Sequence, residues 1–235
     1  MDKSPSTLST LFDNIAPVYD KTNALLSFNL HKGWNKKLAR SLLPYVHSNS
    51  QLLDLCAGTG AITQELLKLP CSAITLLDVS PGMLAVAASR LKDKRLQFVE
   101  ADALAMPFED KTFDAVTVAY GIRNLPDLKK GFQEVHRVLK PGGVFAILEL
   151  TRPTGWFAPF HSLYLKLGVP LLGKLASGNK GAYAYLAQSV DSFLSVENIA
   201  EELKNNGFQL IASKPLFSGC ATLFLAKTGS PTATG

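Results

Sequence analysis

Leu52-Leu53-Asp54-Leu55-Cys56-Ala57-Gly58-Thr59-Gly60-Ala61-Ile62-Thr63 runs from an apolar strand into a glycine turn and on into a helix start. Such a turn brings bare backbone close to a nucleotide-like ligand, because glycine reaches conformations that other residues avoid and has no side chain in the way. The next apolar run, Ala73-Ile74-Thr75-Leu76-Leu77, ends in Asp78. Its carboxylate follows Gly58 by about 20 residues, where an acidic side chain can accept hydrogen bonds from ribose hydroxyls.

Thr63 separates two ligand classes. A dinucleotide fingerprint has a third small residue there, Gly or Ala, beside a pyrophosphate. With Thr the pattern reads D-x-C-A-G-T-G, which suits an adenosine without phosphates, such as S-adenosylmethionine, over NAD.

The rest of the chain builds outward from this turn. Residues 51–56 read as the first strand and 61–69 as its helix, closed by Pro70. Strand two covers 73–78, and a helix opens at Pro81 behind Ser80, a good N-cap ahead of a proline at the first helical position. Leu96 to Val99 reads as strand three, ending at Glu100-Ala101-Asp102, and Phe113 to Val118 as strand four. Asp127 to Leu139 is an amphipathic helix stopped by Pro141-Gly142-Gly143, and Val144 to Leu150 is strand five. Nearly continuous apolar strands alternating with helices predict an α/β, doubly wound parallel sheet. Ligands of such sheets bind at the carboxyl ends of the strands, so Gly58, Asp78, Asp102 and Tyr120-Gly121 are expected in one crevice.

The flanks read differently. Residues 1–10 look like a frayed polar leader. Trp34, Leu38, Leu42 and Val46 recur every four residues, a helix over 31–46. The expected layout is a single domain: an N-terminal helical lid over 1–46, a cofactor-binding core over 47–150, and an apolar helical insertion over 151–192. A helix and two closing strands follow over 193–227, then a tail over 228–235. The insertion carries Trp156, Phe157, Phe160, Leu163, Tyr164 and Leu165, a pair of packed helices or an apolar lid.

Composition bounds the partners. Of 235 residues, 47% are hydrophobic and 18% charged, enough to fill a large core. The net charge of +5 is spread thinly, with no basic block interleaved with aromatics. No nucleic-acid partner is therefore expected, and a weak peripheral contact with an anionic membrane stays open. The three cysteines have no C-x-x-C spacing, which argues against a disulfide framework or a zinc site. His31, His47, His136 and His161 lack metal-ligand spacing, and no metal is expected. The polar start and the lack of a long apolar run lead to the expectation of a cytoplasmic protein, peripheral at the inner face of the membrane. No motif reports the oligomeric state, and a homodimer stays open.

Several blocks resemble the ubiquinone/menaquinone biosynthesis C-methyltransferases, within the class I S-adenosylmethionine-dependent methyltransferases. They are Phe12 to Asp20, Leu26-Ser27-Phe28 with His31 and Trp34, the glycine turn, Asp102 to Phe108, Tyr120-Gly121-Ile122-Arg123-Asn124, Arg137 to Gly143, and Tyr183 with Tyr185-Leu186 and Ser189. The resemblance runs from about Phe12 to Lys227. It implies a seven-stranded, mostly parallel sheet whose last strand is antiparallel. It also implies methyl transfer to a ring carbon of a polyprenylated quinol: demethylmenaquinol, or a 2-polyprenyl-6-methoxy-benzoquinol. Two positions depart from the family: Ala119 replaces a Ser or Asn, removing a side-chain hydrogen bond, and Asp102 replaces an Asn.

On this reading Asp54, Gly58, Gly60, Thr63, Asp78, Met83, Asp102, Ala103 and Ala119 hold the cofactor. Gly58 and Gly60 lie against its methionine and ribose parts, Asp54 orients the turn or the amine, and Asp102 with Ala103 meets the adenine. The catalytic set is Arg123, Asn124, Tyr19 and Asp20. A phenol ordinarily ionises near pH 10, so a cation or base must help it at neutral pH. Arg123 stabilises the developing phenolate, as the family resemblance implies, with Tyr19, Asp20 and Glu149 as helpers. A structural salt bridge is the competing reading of Arg123. Two other functions fit the same sequence: a methyltransferase for another lipid or small molecule, and a cofactor-binding subunit without transfer of its own.

Overall fold

Five apolar runs form the parallel part of one sheet: β1 (Gln51–Leu55), β2 (Ala73–Asp78), β3 (Leu96–Glu100), β4 (Phe113–Ala119) and β5 (Leu139–Leu150). β6 (Phe208–Leu216) lies at one edge, and β7 (Ala221–Thr228) sits antiparallel between it and β5. The strand order is β3-β2-β1-β4-β5-β7-β6. The structure, a computed structural model, describes residues 3–177 and 180–229.

Helices connect and cover these strands. They are α1 (Pro5–Asp13), α2 (Tyr19–Leu26), α3 (Leu30–Ser41), α4 (Thr63–Leu66), α5 (Pro81–Arg90), α6 (Leu128–Val138), α7 (Ala158–Leu163), α8 (Val169–Ser177), α9 (Lys180–Asp191) and α10 (Val196–Asn205). Strand alternation sends Leu53, Leu55, Val116, Val118 and Phe145 to one face, against Phe132 and Val135 of α6 and Ile199 and Leu203 of α10. Leu52, Ala115, Ala146 and Leu148 point to the other, against Trp34, Leu38 and Ala39 of α3 and Leu66 of α4. Both faces are covered, which is why the strands read as unbroken apolar runs. The N-cap expected at Ser80 is present, its Oγ accepting from the Met83 amide at 3.1 Å. A separate apolar cluster joins Ile15, Ala16 and Leu26 to Leu165, Val169, Tyr183 and Val190. It docks the N-terminal helices onto the segment that follows β5.

Several local expectations change. The leader is helical from Pro5, with Met1 and Asp2 outside the described residues. Proline costs nothing in a first helical turn, and the stripe Leu8, Leu11, Phe12 has the i, i+3, i+4 spacing that the surrounding serines and threonines mask. Leu8 is buried by it. The helix expected over 31–46 ends at Ser41, although Leu42 and Val46 stay buried. That expected over 61–69 shrinks to Thr63–Leu66 and then tightens, the Leu69 amide donating to the Leu66 carbonyl at 2.9 Å. β5 begins before the Pro-Gly-Gly stop, with a register break between Phe113 and Ala115 and Gly142 at φ 76°. Pairing resumes at Ala115 and Val144, so β5 carries three extra residues across this irregularity. Thr228 belongs to β7, its hydroxyl donating to the Lys140 carbonyl, and residues 230–235 of the expected tail lie outside the described residues.

β1 is followed by β2 on one side but bordered by β4 on the other, so the connections reverse direction between β1 and β4. A crevice opens outside the strand ends at such a point. Cys56 (φ 53°) and Tyr120 (φ 59°), just past β1 and β4, both have left-handed backbones. Such conformations cost energy in non-glycine residues and collect at functional sites.

Gly60 has φ 77°, and a Cβ there would stand 2.6 Å from Leu91 Cδ1 and 3.3 Å from Ala87 Cβ. Gly60→Ala is expected to lose roughly 1–3 kcal/mol of stability, read as a lower urea midpoint at unchanged m-value.

Candidate active site at the β1/β4 crevice

Two cavities meet at this crevice. The narrower is lined by Gly58, Asp78, Met83, Asp102, Ala103, Ala119, Gly121 and Asn124, and roofed by Lys3, Pro5 and Leu8 of the N-terminal segment. The wider, about 360 Å³, is walled almost wholly by apolar and aromatic side chains from α1, α2, α3 and the segment 157–190. Phe12, Tyr19 and Tyr120 line both. A ligand in one therefore faces a ligand in the other across these rings.

The turn is built around Asp78. Its Oδ2 accepts from the Gly58 amide at 2.8 Å and its Oδ1 from the Ser80 amide at 2.9 Å. Burial pushes this carboxyl above its ordinary value, against those backbone donors. Gly58 has φ 54°, and a Cβ there would meet only open space, so its bare backbone faces the cavity. Asp102 caps its own loop, Oδ1 accepting from the Leu104 amide at 2.9 Å. Met83 and Ala103 are buried beside it. The residue types fit an adenosine: two carboxyls able to accept hydrogen bonds, an apolar wall, and a cradle that a Cβ would fill.

Three expected cofactor residues sit behind the turn. The Thr63 hydroxyl donates to Asp54 Oδ2 at 2.6 Å, and that of Thr117 donates to Asp54 Oδ1 at 3.1 Å. All three side chains are buried, and neither Asp54 nor Thr63 lines a cavity. Gly60 lies against Leu91 and Ala87 instead of a ligand space. The spacing that suggested ligand contact reflects an internal polar clasp under the turn. That clasp puts a carboxyl and a threonine where a dinucleotide fold keeps a small residue beside a pyrophosphate.

Arg123 stands at the wall of the wider cavity. Its Nη1 donates to Glu149 Oε1 at 2.8 Å and also to the Tyr120 carbonyl, and its Nε donates to Ser189 Oγ at 3.3 Å. The Arg123 and Leu150 amides donate to the same carboxylate at 3.2 Å and 2.8 Å. The arginine is 5% exposed and the glutamate 0%. Among the described residues Nη2 makes no hydrogen bond, and Arg123 lines the cavity. Glu149 is thus a clasp for the cation and does not reach the cavity. Asn124 lines the narrower cavity, its Oδ1 accepting from the Tyr185 hydroxyl at 3.0 Å.

Asp20 departs from its expected catalytic place. It pairs with Arg90 and accepts from the Thr59 hydroxyl at 2.6 Å, tying α2 to the glycine turn and to α5, outside both cavities. Tyr19 lines both cavities. Burial pushes its phenol above the ordinary value, opposed by Arg123 and a hydrogen bond with Asn23, while Asp78 and Tyr183 push it further up. Its hydroxyl therefore feels both the adenosine-side carboxylate and the arginine. His31 and His161 also line the wider cavity, and burial lowers both from the usual imidazole value. His31 Nδ1 lies 2.6 Å from Ser27 Oγ. The Leu26-Ser27-Phe28 block with His31 was the available sequence signal for this wall.

Residues 1–227 match the model of the ubiE/COQ5 methyltransferase family. The chain belongs to this family. A demethylmenaquinone methyltransferase of Protochlamydia amoebophila is 42% identical over 228 residues, 93% of each chain. One of Thermotoga maritima is 41% identical over 218 residues, 92% of this chain and 93% of that one. The ubiquinone/menaquinone biosynthesis C-methyltransferase UbiE of Campylobacter jejuni is 37% identical, covering 92% and 95%. A solved putative methyltransferase of Haloferax volcanii, bound to its Trm112 activator, superposes with a TM-score of 0.67 at 17% identity, over 93% of this chain and 97% of that one. That likeness is one of fold: the mostly parallel sheet of class I methyltransferases.

The buried clasp has a pH signature. Burial raises the Asp54 carboxyl from 3.8 to about 7, against the hydrogen bonds from Thr63 and Thr117. The folded state therefore holds a proton that the unfolded chain releases near pH 4, so stability is greatest below that pH and falls up to about pH 7. At roughly 1.4 kcal/mol per unit, the loss reaches up to about 4 kcal/mol. Chemical denaturation of wild type and Asp54→Asn at pH 4.5 and 7.5 should show the variant gaining relative stability at the higher pH.

Proposed function

We propose that the protein transfers the methyl group of S-adenosylmethionine to a ring carbon of a polyprenylated quinol. Demethylmenaquinol is the favoured acceptor, with a 2-polyprenyl-6-methoxy-benzoquinol as a second. The observation that carries this reading is a large apolar cavity, holding a clasped arginine, that shares Phe12, Tyr19 and Tyr120 with the cavity lined by Gly58, Asp78 and Asp102. The names of the relatives agree with it.

When bound, S-adenosylmethionine supplies an electrophilic methyl on a cationic sulfur. Asp78 accepts from the ribose hydroxyls with the lone pairs that Gly58 and Ser80 leave, and Gly58 admits the backbone close to the ligand. Asp102 and Ala103 meet the adenine, Met83 and Ala119 pack beside it, and Asn124 borders the same space. Arg123 turns Nη2 toward the acceptor and stabilises the negative charge on the quinol oxygen next to the reacting carbon. Glu149 and Ser189 hold that guanidinium in place. Tyr19 closes the gap between the cavities and excludes water, and the aromatic walls align the ring for in-line attack.

Phe28, Phe160 and Phe217 line the wider cavity and are more than half exposed. Trp156, Leu163 and Leu167, also more than half exposed, belong to the segment after β5, and ring contacts link Trp156 to Phe157 and Phe157 to Phe217. No helix among the described residues is long and apolar enough to cross a membrane. We read this exposed apolar surface as the face that rests on the bilayer, from which a polyprenyl tail passes directly into the cavity.

Purified protein with methyl-labelled S-adenosylmethionine and reduced demethylmenaquinone is expected to give labelled menaquinol. Transfer only to a non-quinol acceptor would refute the reading. Asp78→Asn should weaken cofactor binding about tenfold or more by calorimetry, since hydrogen bonds to charged groups are worth roughly 1.5–3 kcal/mol.

Arg123→Gln strands a buried carboxylate and should cost about 3–5 kcal/mol of stability. Arg123→Gln with Glu149→Gln should recover most of that loss in a denaturation curve, yet remain about 10²- to 10³-fold slower than wild type. Recovery of turnover along with stability would make the arginine purely structural.

A further inference from the structure

Tyr183 carries a polar atom without a partner among the described residues. Its side chain is 2% exposed, and its hydroxyl oxygen is buried with no hydrogen bond there. A buried hydroxyl left unpaired destabilises a fold, so native structures rarely keep one without a use. Asn206 Oδ1 shares that condition, but it lies just past the end of α10 and lines neither cavity. Tyr183 does line the wider cavity.

The ring of Tyr183 has little freedom. A Cβ on Gly173 of α8 would stand 2.3 Å from its Cγ and 2.6 Å from its Cδ2, so the ring lies flush against that helix backbone. Leu165, Val169 and Val190 complete the packing. The hydroxyl is close enough to Tyr19 to push that phenol up, and Arg123 acts on the same phenol in the opposite direction. Tyr183, Tyr19 and Arg123 all line the wider cavity, and Tyr19 also lines the narrower one.

We infer that the Tyr183 hydroxyl is a substrate-binding donor. It is kept unsatisfied in the empty fold so that it can donate to the acceptor oxygen beside the carbon that receives the methyl group. This rests on the quinol reading above and adds a second, neutral donor to the oxygen that Arg123 faces. An acceptor with a ring hydroxyl there completes the site. A purely hydrocarbon ligand of the same shape leaves the hydroxyl orphaned and is rejected, because a pocket built to pair an oxygen discriminates strongly against a ligand lacking one.

The test compares wild type with Tyr183→Phe, using reduced demethylmenaquinone with a short prenyl tail and S-adenosylmethionine. The phenyl ring keeps the packing on Gly173, so the melting temperature of the variant without ligands should match or exceed that of wild type. Its calorimetric affinity for S-adenosylhomocysteine should be unchanged. Its kcat/KM for the quinol should fall tenfold or more. The acid limb of kcat, which reports groups in the bound complex, should move to higher pH as the phenolate loses a donor. Unchanged kcat/KM and pH profile, with an active wild type, overturn the inference and leave the quinol reading standing. A loss of activity that tracks a lower melting temperature or weaker homocysteine-ligand binding assigns Tyr183 a structural role and also overturns it. Failure of the wild type to methylate any quinol brings down both.

Discussion

A positive charge held in an oily wall organises this protein. Taking an arginine and a glutamate out of water costs several kcal/mol per ion, and their mutual attraction repays it only when the remaining hydrogen-bonding groups are also matched. Here the matching is nearly complete: the Glu149 carboxylate receives the guanidinium and two backbone amides, while Ser189 and the Tyr120 carbonyl take further donors of Arg123. The elements supplying these groups are β5, the end of β4 and α9. The ion pair joins the ends of β4 and β5, and the docking of α9 adds the Ser189 hydroxyl to it. Packing residues of similar volume would serve stability as well. A charge maintained at such cost on a cavity wall makes sense on the proposed reading, in which an anion must form beside it.

The glycine turn is fixed by a second set of buried polar groups. Asp78 faces the cavity and bonds the Gly58 and Ser80 amides, whereas Asp54 lies underneath with Thr63 and Thr117. These two carboxyls, one strand apart, have different tasks set by orientation alone. The N-terminal helices fasten to the same turn from above. Asp20 reaches Thr59 and Arg90, and Asp13 accepts from the Ser80 hydroxyl at 2.6 Å and the Gly82 amide at 2.9 Å. Helices α1 to α3 are thus a cover tied to the turn and to α5 by carboxylates, with apolar side chains lining the wider cavity.

Much of this was legible in the sequence, and the line between legible and hidden follows the range of the interactions. β1, β2, β4, α5 and α6 declare themselves through local periodicity and caps such as Ser80 and Asp127, so they emerged nearly residue for residue. The glycine turn and Asp78 also share a fixed local spacing. Asp54, Gly60 and Thr63 have motif spacing as well, but spacing does not say which side of a turn a side chain takes. The ties of Asp20 to Thr59 and Arg90, and of Glu149 to Arg123, join residues far apart in the chain and leave no local signal. The wider cavity could not be drawn beforehand, since its walls come from four separate stretches that meet only in the folded lid. Tyr183 looked like one more motif aromatic; only the three-dimensional neighbourhood reveals a hydroxyl without a partner among the described residues.

The oily cavity also bears on the chemistry itself. Attack of a phenolate-activated ring on a cationic methyl donor brings opposite charges together and destroys both. At about 4 Å such a pair attracts by about 1 kcal/mol in water but by about 4 kcal/mol at an effective dielectric near 20. An apolar wall therefore favours bringing the two reactants together, provided the phenolate can be made there at all. Making it is the expensive part, because the same wall penalises an isolated anion. On the proposed reading, Arg123 and the Tyr183 hydroxyl offset that penalty at one oxygen, while the rest of the cavity stays dry. A more polar pocket would ease formation of the anion but would weaken the attraction and admit water. On this reading the mostly apolar walls are thus as much a part of the mechanism as the polar groups set into them.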